Sequence, residues 1–460
     1  MGWKQRFSGT CEVIMVTIIC AHFKNVLTHD RSCRLQRSWP RWLAPVVWWA
    51  LWLYVLLATG LCEEGKSYPL ARLVSGQTRE GVLVGWEQGQ FVFRGGEGVW
   101  SCPIEDLVCW GELFDIQGAS CLFLRDGSAL AGRLTGITTE EIHWVHPELG
   151  ELRFPRAQCA GVVLKNPRDL VLRDRLMGVL LEGGEGVLFL NGDQLAGDLK
   201  NWTGGETLAI SSVLGEQAFP LASLRALRFQ KPPEPGVTEA TEIGTRVWVG
   251  LQDGSRILMR VDTHQEKKPQ GGEAGKTEPL PSGNQVLRAG FAGKIVTIPL
   301  NTVCFLLVIN KNVVYLSDLE ADRYLFVPFL EYVRPYYRDR NNRGGLLRAE
   351  RRVYIKGLGV YSASRLTYSL KRQFDRFEAE VAIDDLSQGA GSVVFRVLVD
   401  GQSRSVVGPV RGTDSPRPVR VDVRGAERID LVVEFGERAD ELDYADWLNA
   451  RLIRSASSQP

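Results

Sequence analysis

Three dipeptides that favour tight β-hairpin turns, Asp126-Gly127, Asn191-Gly192 and Asp253-Gly254, each stand inside a short apolar run, and they constrain the fold more than any other feature. Asn, Asp and Gly tolerate the positive φ of a two-residue hairpin turn, so each dipeptide marks a strand–turn–strand unit. The runs around them repeat. FLRDGSALAGRL (123–134) is echoed by FLNGDQLAGDL (189–199) and VGLQDGSRILMRV (249–261), with a more diverged copy at ARLVSGQTREGVLVG (71–85). Each copy closes with an apolar residue or Cys, then Pro, a polar stretch and another strand: CPIEDLVCW (102–110), FPRAQCAGVVL (154–164), FPLASLRALRF (219–229) and IPLNTVCFLLV (298–308). The closing prolines are Pro103, Pro155, Pro220 and Pro299.

The expected fold is therefore all-β: tandem small units over 63–112, 113–174, 175–230 and 243–310. The pattern resembles a series of small, strongly bent β-barrels of the Sm-like kind, each of ~50–60 residues, which bury little core alone and need packing between neighbours. The region reads as a stalk or as a binding and assembly platform. Polar segments at 231–242 and 264–283 read as a linker and a loop tip. Lys plus Arg total 55 and Asp plus Glu total 54, a balance that argues against a nucleic-acid partner recognised through bulk positive charge. Only five histidines occur in 460 residues. His143 and His146 lie three apart in a strand, on opposite faces, and cannot share one ion. Asn201-Trp202-Thr203 fits a glycosylation acceptor.

At the other extreme of polarity, residues 43–62 form an uncharged stretch about as long as the ~20 apolar residues a membrane crossing needs. Lys4, Arg6, Lys24, Arg31, Arg34, Arg37 and Arg41 precede it, against Glu12 and Asp30. That asymmetry keeps the N-terminus in the cytoplasm and exports the rest. Residues 1–62 are thus expected to be a basic leader with one helix, either a signal sequence cut after Gly60 or a retained membrane anchor. Trp42, Trp48, Trp49 and Trp52 weigh against a buried core helix, and bulky Leu61 weighs against lipidation at Cys62. Beyond it stand Cys102, Cys109, Cys121, Cys159 and Cys304, an odd number without zinc-site spacing, read as small buried apolar residues.

The last third is a string of short alternating runs: FEAEVAI (377–383), SVVFRVLV (392–399), VRVDV (419–423) and IDLVVEF (429–435), with turns at 389–391, Asp400-Gly401 and Arg424-Gly425. That spacing suggests a two-sheet sandwich. In order, it carries LSDL (316–319), RDR (338–340), KGLGV (356–360), Asp384-Asp385, GSVVFRVLVDG (391–401) and DYADW (443–447). Together these motifs resemble the NPCBM family of carbohydrate-binding modules over about 314–454. The resemblance implies a jelly-roll β-sandwich over 311–456, attachment to glycoside hydrolases or exported bacterial proteins, and a galactose-type glycan as partner. The family commonly has His after KGLGV and before A-D-W; here Tyr361 and Tyr444 stand there.

Sugar recognition uses an aromatic platform with a few polar groups aimed at hydroxyls. Tyr336, Tyr337, Arg338, Arg340, Asn341 and Asn342 supply both types in one loop-like segment. Lys356 and Ser362 flank the KGLGV turn, and Tyr361, Tyr444 and Trp447 complete the candidate carbohydrate site. Asp384, Asp385 and Asp443 are candidate oxygen ligands for a structural calcium ion. Adjacent aspartates on a strand point to opposite faces, so Asp384 and Asp385 do not make the paired carboxylates of a glycosidase. No histidine follows His264, no phosphate-binding loop is present, and no stretch is left for a (β/α)₈ barrel of ~250 residues. The sequence thus points to an exported, non-catalytic carbohydrate-binding protein without a cofactor. The alternatives are an envelope protein that contacts another protein, and an accessory subunit of a glycoside hydrolase.

Overall fold

The computed structural model describes residues 68–181, 184–231, 245–261, 286–327, 333–437 and 439–454. The expected leader and apolar helix, nearly all of the 231–242 linker and the 264–283 loop lie outside the described residues. From Tyr68 onward the chain forms one compact unit. It is nearly all strand, and among the described residues no helix is long and apolar enough to cross a membrane.

One local device recurs four times. Pro103, Pro155, Pro220 and Pro299 each end a strand and open a three-residue 3-10 helix, with φ of −54°, −54°, −57° and −62°. The pyrrolidine ring fixes φ near this value and removes an N–H that would otherwise need a partner at the bend. The strand after each bend returns to pair with the first strand of its own unit: Ala71 opposite Trp110, Cys121 opposite Val163, Val187 opposite Leu227, and Val247 opposite Val308. Gly127, Gly192 and Gly254 take φ of 93°, 97° and 87°, as their hairpin turns require.

The units do not stack in sequence order as a stalk would. The last strand of the second unit, Cys159–Val163, pairs with that of the third, Leu224–Arg228. The last strand of the fourth, Val303–Ile309, pairs with that of the first, Leu107–Gly111. A bridge between Arg256 and Ala129 joins the two pairs, so one 16-stranded sheet runs through all four units in the order three, two, four, one. Pairing last strand to last strand satisfies edges that would otherwise be left open. The core of this platform is continuous, from Phe91 and Phe93 through Trp144 and Phe154 to Phe229, Phe291 and Ile298. Cys102, Cys109, Cys121 and Cys159 are buried and Cys304 half-buried, all as free thiols. Burial pushes Cys102 and Cys159 up to about 12 and Cys304 to about 11.

Among the described residues one α-helix, α1 (Leu170–Leu181), breaks the all-strand pattern and crosses the expected seam between 174 and 175. Asp169 caps it by accepting from Leu172 N at 2.8 Å. Leu176 and Leu180 are buried, but so are Arg173 and Asp174, so the run lacks the clean apolar stripe that announces a helix.

The C-terminal sandwich sets one sheet, Tyr337–Arg338, Gly357–Tyr361, Tyr444–Ile453, Arg376–Ile383 and Arg417–Asp422, against a second. The second contains Arg323–Phe326, Ser364–Ser369, Arg428–Phe435, Ser392–Val399 and Gln402–Arg411. Leu358, Phe377, Val381, Phe395, Val397, Leu431, Trp447 and Leu452 pack between them. Every residue of Tyr444–Ile453 is buried, although antiparallel sheets commonly leave one face to water. The domain's own Leu347, Ala349 and Tyr354 pack on Ala382 and Leu448 of the outer face, and the platform adds to that cover. Val313, Tyr315, Leu346 and Val353 pack with Val108, Leu113, Trp248 and Phe305, Arg72 pairs with Glu380, and Arg376 donates to Val74 O at 2.8 Å.

Candidate functional site

The loop 334–345 lies between two environments, and its consecutive residues Asn341, Asn342 and Arg343 show how. Asn341 turns inward. Its Oδ1 accepts from Arg343 N at 3.0 Å and Gly345 N at 2.9 Å, while its Nδ2 donates to Leu346 O at 2.8 Å and to Asp174 of α1 at 3.0 Å. Arg348 donates to the other oxygen of Asp174 at 2.8 Å and to Asp115 at 3.1 and 3.2 Å, and Arg173 reaches the same Asp115 oxygen at 2.8 Å. A Cβ on Gly345 would fall 1.8 Å from the Asp174 carboxyl carbon, so only glycine fits. Arg173, Asp174, Arg348 and Asn341 are all buried, forming a closed charge knot that ties α1 to the sandwich. Despite its burial, the flanking arginines hold Asp115 below the usual carboxylate range.

Asn342 and Arg343 turn toward the other environment, the rim where Gly357–Tyr361 ends and Tyr444–Ile453 begins. Tyr361 and Tyr444 are direct ladder partners with rings edge-on, centroids 6.0 Å apart. Arg343 lies over the Tyr444 ring at 5.4 Å and donates to its hydroxyl at 2.9 Å. Arg334 lies over the Tyr361 ring at 4.5 Å. Tyr361 donates to Asn342 O at 2.7 Å, and Tyr324, whose ring is 5.0 Å from Tyr336, donates to Arg334 O at 2.8 Å. Among the described residues no carboxylate pairs with Arg334 or Arg343. The hydrogen bond to Tyr444 pushes the Arg343 pKa up. Asn342 Oδ1 is buried with no hydrogen-bond partner among the described residues, while Ser362 and Asp443 are buried within reach of each other.

Of the residues read from sequence, Tyr337, Asn342, Tyr361 and Tyr444 meet at this rim. Tyr336 packs against the core edge beside Tyr324. Arg340 caps its own loop by donating to Gly344 O at 2.8 Å, and Arg338 is exposed on a two-residue strand. Ser362 is buried just behind Tyr361 in sequence. Lys356 is not at the rim: its ammonium is held between Asp318 at 2.5 Å and Asp339 at 2.8 Å, over the Tyr315 ring, where it clamps a turn. Trp447 is 0% exposed and edge-on to Phe395 at 5.0 Å, so it is core and offers no stacking face. The indole is large and faces inward by strand alternation, while its neighbour Asp446 faces the platform.

The three aspartates expected to hold calcium are occupied by backbone amides instead. Asp384 accepts from Arg348 N and Leu386 N, both at 2.9 Å; Asp385 from Glu350 N at 3.1 Å and Arg351 N at 2.8 Å; Asp443 from Ser392 N at 2.9 Å. Among the described residues no three His, Cys, Asp or Glu side chains could hold a metal ion. Burial pushes Asp443 and Asp384 up to about 6. Asp446, equally buried beside Asp384, is raised well above the usual carboxylate range by burial and then by that neighbour's charge. Both shifts favour the protonated form of the acids beneath the sheet.

Arg334, Arg343 and the charge knot were not singled out from sequence. The only trace was RNNRGG (340–345), where two glycines follow a cluster of polar residues.

Residues 312–453 match the NPCBM/NEW2 domain. The C-terminal third of this chain is an NPCBM domain. It is 34% identical over 108 residues to a Renibacterium salmoninarum protein named as an endo-alpha-N-acetylgalactosaminidase, covering 24% of this chain and 7% of that relative. Among solved structures, CBM51 from Clostridium perfringens GH95 in complex with methyl-galactose is 26% identical, covers 30% of this chain and 99% of that chain, and has a TM-score of 0.28. The CBM51-2 and INT domains of Clostridium perfringens ZmpB with GlcNAc are 23% identical, cover 37% of this chain and 38% of that one, and have a TM-score of 0.29. The match leaves the platform outside it, so the platform residues that pack against Val313, Tyr315, Leu346 and Val353 come from a region the domain match does not describe.

Proposed function

We propose that this chain is an exported, membrane-associated, non-catalytic carbohydrate-binding protein whose NPCBM domain presents the Tyr361–Tyr444 rim to a glycan. The observation that carries the reading is the NPCBM match over 312–453. The rim supports it: Tyr361 and Tyr444 stand there with the Arg334 and Arg343 guanidiniums, a set of aromatic and hydrogen-bonding groups at one end of the sandwich. Export and membrane association rest on the uncharged 43–62 stretch behind its basic residues. The non-catalytic reading is supported by the burial of the paired acids, because Asp384 and Asp446 are 0% exposed. A galactose-type ligand is the expectation from the resemblance. The platform then serves as the rigid mount.

The full chain applied to a glycan array tests this. Retention by galactose-containing glycans, competed by free methyl-galactoside, is expected. No retention by any glycan would contradict it. A second reading, in which the rim contacts another envelope protein, is favoured by one observation: the Tyr361 and Tyr324 hydroxyls are both turned inward to backbone carbonyls.

A further inference from the structure

We propose that the rim selects glycans that carry an anionic group, a uronic acid carboxylate or a sulfate ester, over neutral sugars. The inference rests on the reading of the rim as a glycan site and deepens it. Two guanidiniums, Arg334 and Arg343, lie over the two rim tyrosines at 4.5 and 5.4 Å. They occupy the ring faces on which a neutral sugar would stack its C–H face. What the rim offers in their place is N–H donors and positive charge. Arg343 is positioned by two bonds: its backbone N–H goes to Asn341 Oδ1 at 3.0 Å, and one guanidinium N–H goes to the Tyr444 hydroxyl at 2.9 Å. A guanidinium has five N–H donors in a planar fork that matches a carboxylate or sulfate edge.

Charge compensation separates these arginines from Arg348 and Arg365 of the same domain. Arg348 meets Asp115 and Asp174, and Arg365 meets Asp430 through two bonds of 3.0 and 2.7 Å. Arg334 and Arg343 meet tyrosines and, among the described residues, no carboxylate. Asp443, the acid next to Tyr444 in sequence, is 2% exposed and turned inward to Ser392 N. The rim therefore carries unbalanced positive charge, and an arriving anion needs to displace no internal carboxylate.

Isothermal titration of the full chain with methyl α-galactopyranoside, the corresponding methyl galacturonide and galactose 6-sulfate tests the inference. At least one anionic probe is expected to bind about 10-fold more tightly than the neutral one, because charge-assisted hydrogen bonds are roughly twice as strong as neutral ones. Which anionic probe wins distinguishes carboxylate from sulfate. Salt raised from about 0.15 to 1 M shortens the screening length from about 8 to 3 Å and is expected to erode the advantage. The Arg334→Gln/Arg343→Gln double variant is expected to bind acidic and neutral probes alike, with its thermal midpoint unchanged. Equal binding of all three probes by the wild-type chain would overturn the anionic preference and leave the glycan reading standing. Binding of none would overturn both.

Discussion

Two arginines a few residues apart, Arg343 and Arg348, divide the NPCBM domain into two kinds of surface. Arg348 is buried among Asp115, Asp174 and Asn341, with every charge answered. Arg343 is exposed and, among the described residues, its guanidinium meets only Tyr444. A charge balanced inside the protein holds the protein together; a charge left unbalanced at the surface is available to something else. The pair shows how one loop locks the domain to its platform on one side and presents a rim on the other.

The comparison breaks most readily at the knot. Arg348→Met leaves Asp115 and Asp174 buried beside fewer cations, and removing one partner of a buried ionic network costs about 3–5 kcal/mol. Chemical denaturation of the full chain is expected to show that loss; less than about 1 kcal/mol would mean that the knot is incidental. Trp447→Ala, which empties the space beside Phe395 and Phe377, is expected to cost a similar ~3–5 kcal/mol.

The buried acid pair sets a pH dependence of the opposite sign to most carboxylates. Asp384 titrates at about 6 in the fold and Asp446 is raised well above its ordinary value, so the folded state binds more protons than the unfolded chain. Their contribution is most favourable below the unfolded pKa near 4 and is lost as pH rises through 6 and beyond. Asp115 and Glu378, both lowered, act only below pH 4, outside that window. Asp446→Asn removes that group's titration and is expected to raise stability at pH 8 by ~2 kcal/mol while changing it little at pH 4. Denaturation at the two pH values checks this; a variant less stable than wild type at pH 8 would refute the assignment.

Lys356→Met is expected to cost about 1 kcal/mol, since Asp318 and Asp339 are partly solvated and screen the loss. The smallest effect belongs to the rim. Arg343→Gln is expected to shift stability by less than ~0.5 kcal/mol, in contrast to Arg348→Met. A large loss at Arg343 would erase the distinction between the two surfaces.

What the sequence made legible was local. Hairpin dipeptides, post-strand prolines and alternating runs are decided by φ preferences and side-chain periodicity within a few residues. The partner of each edge strand was not legible, because Leu306 opposite Trp110 joins segments nearly 200 residues apart. The α1 helix was missed because Arg173 and Asp174 interrupt its apolar face, and they do so to meet Asp115 and Arg348. Trp447 and Lys356 looked like ligand-binding residues by type, but strand alternation sends Trp447 inward, and two acids from other turns hold Lys356. The requirement for glycine at Gly345 was not legible either, because it comes from a carboxylate 171 positions earlier in the chain.

Hydrogen exchange of the full chain, with and without a saturating glycan drawn from the array, tests the central claim most directly. New protection is expected at 334–345, 357–362 and 443–446, with the platform unchanged. Protection confined to platform strands such as Arg256–Val261 and Val286–Phe291, with the rim unchanged, would contradict it.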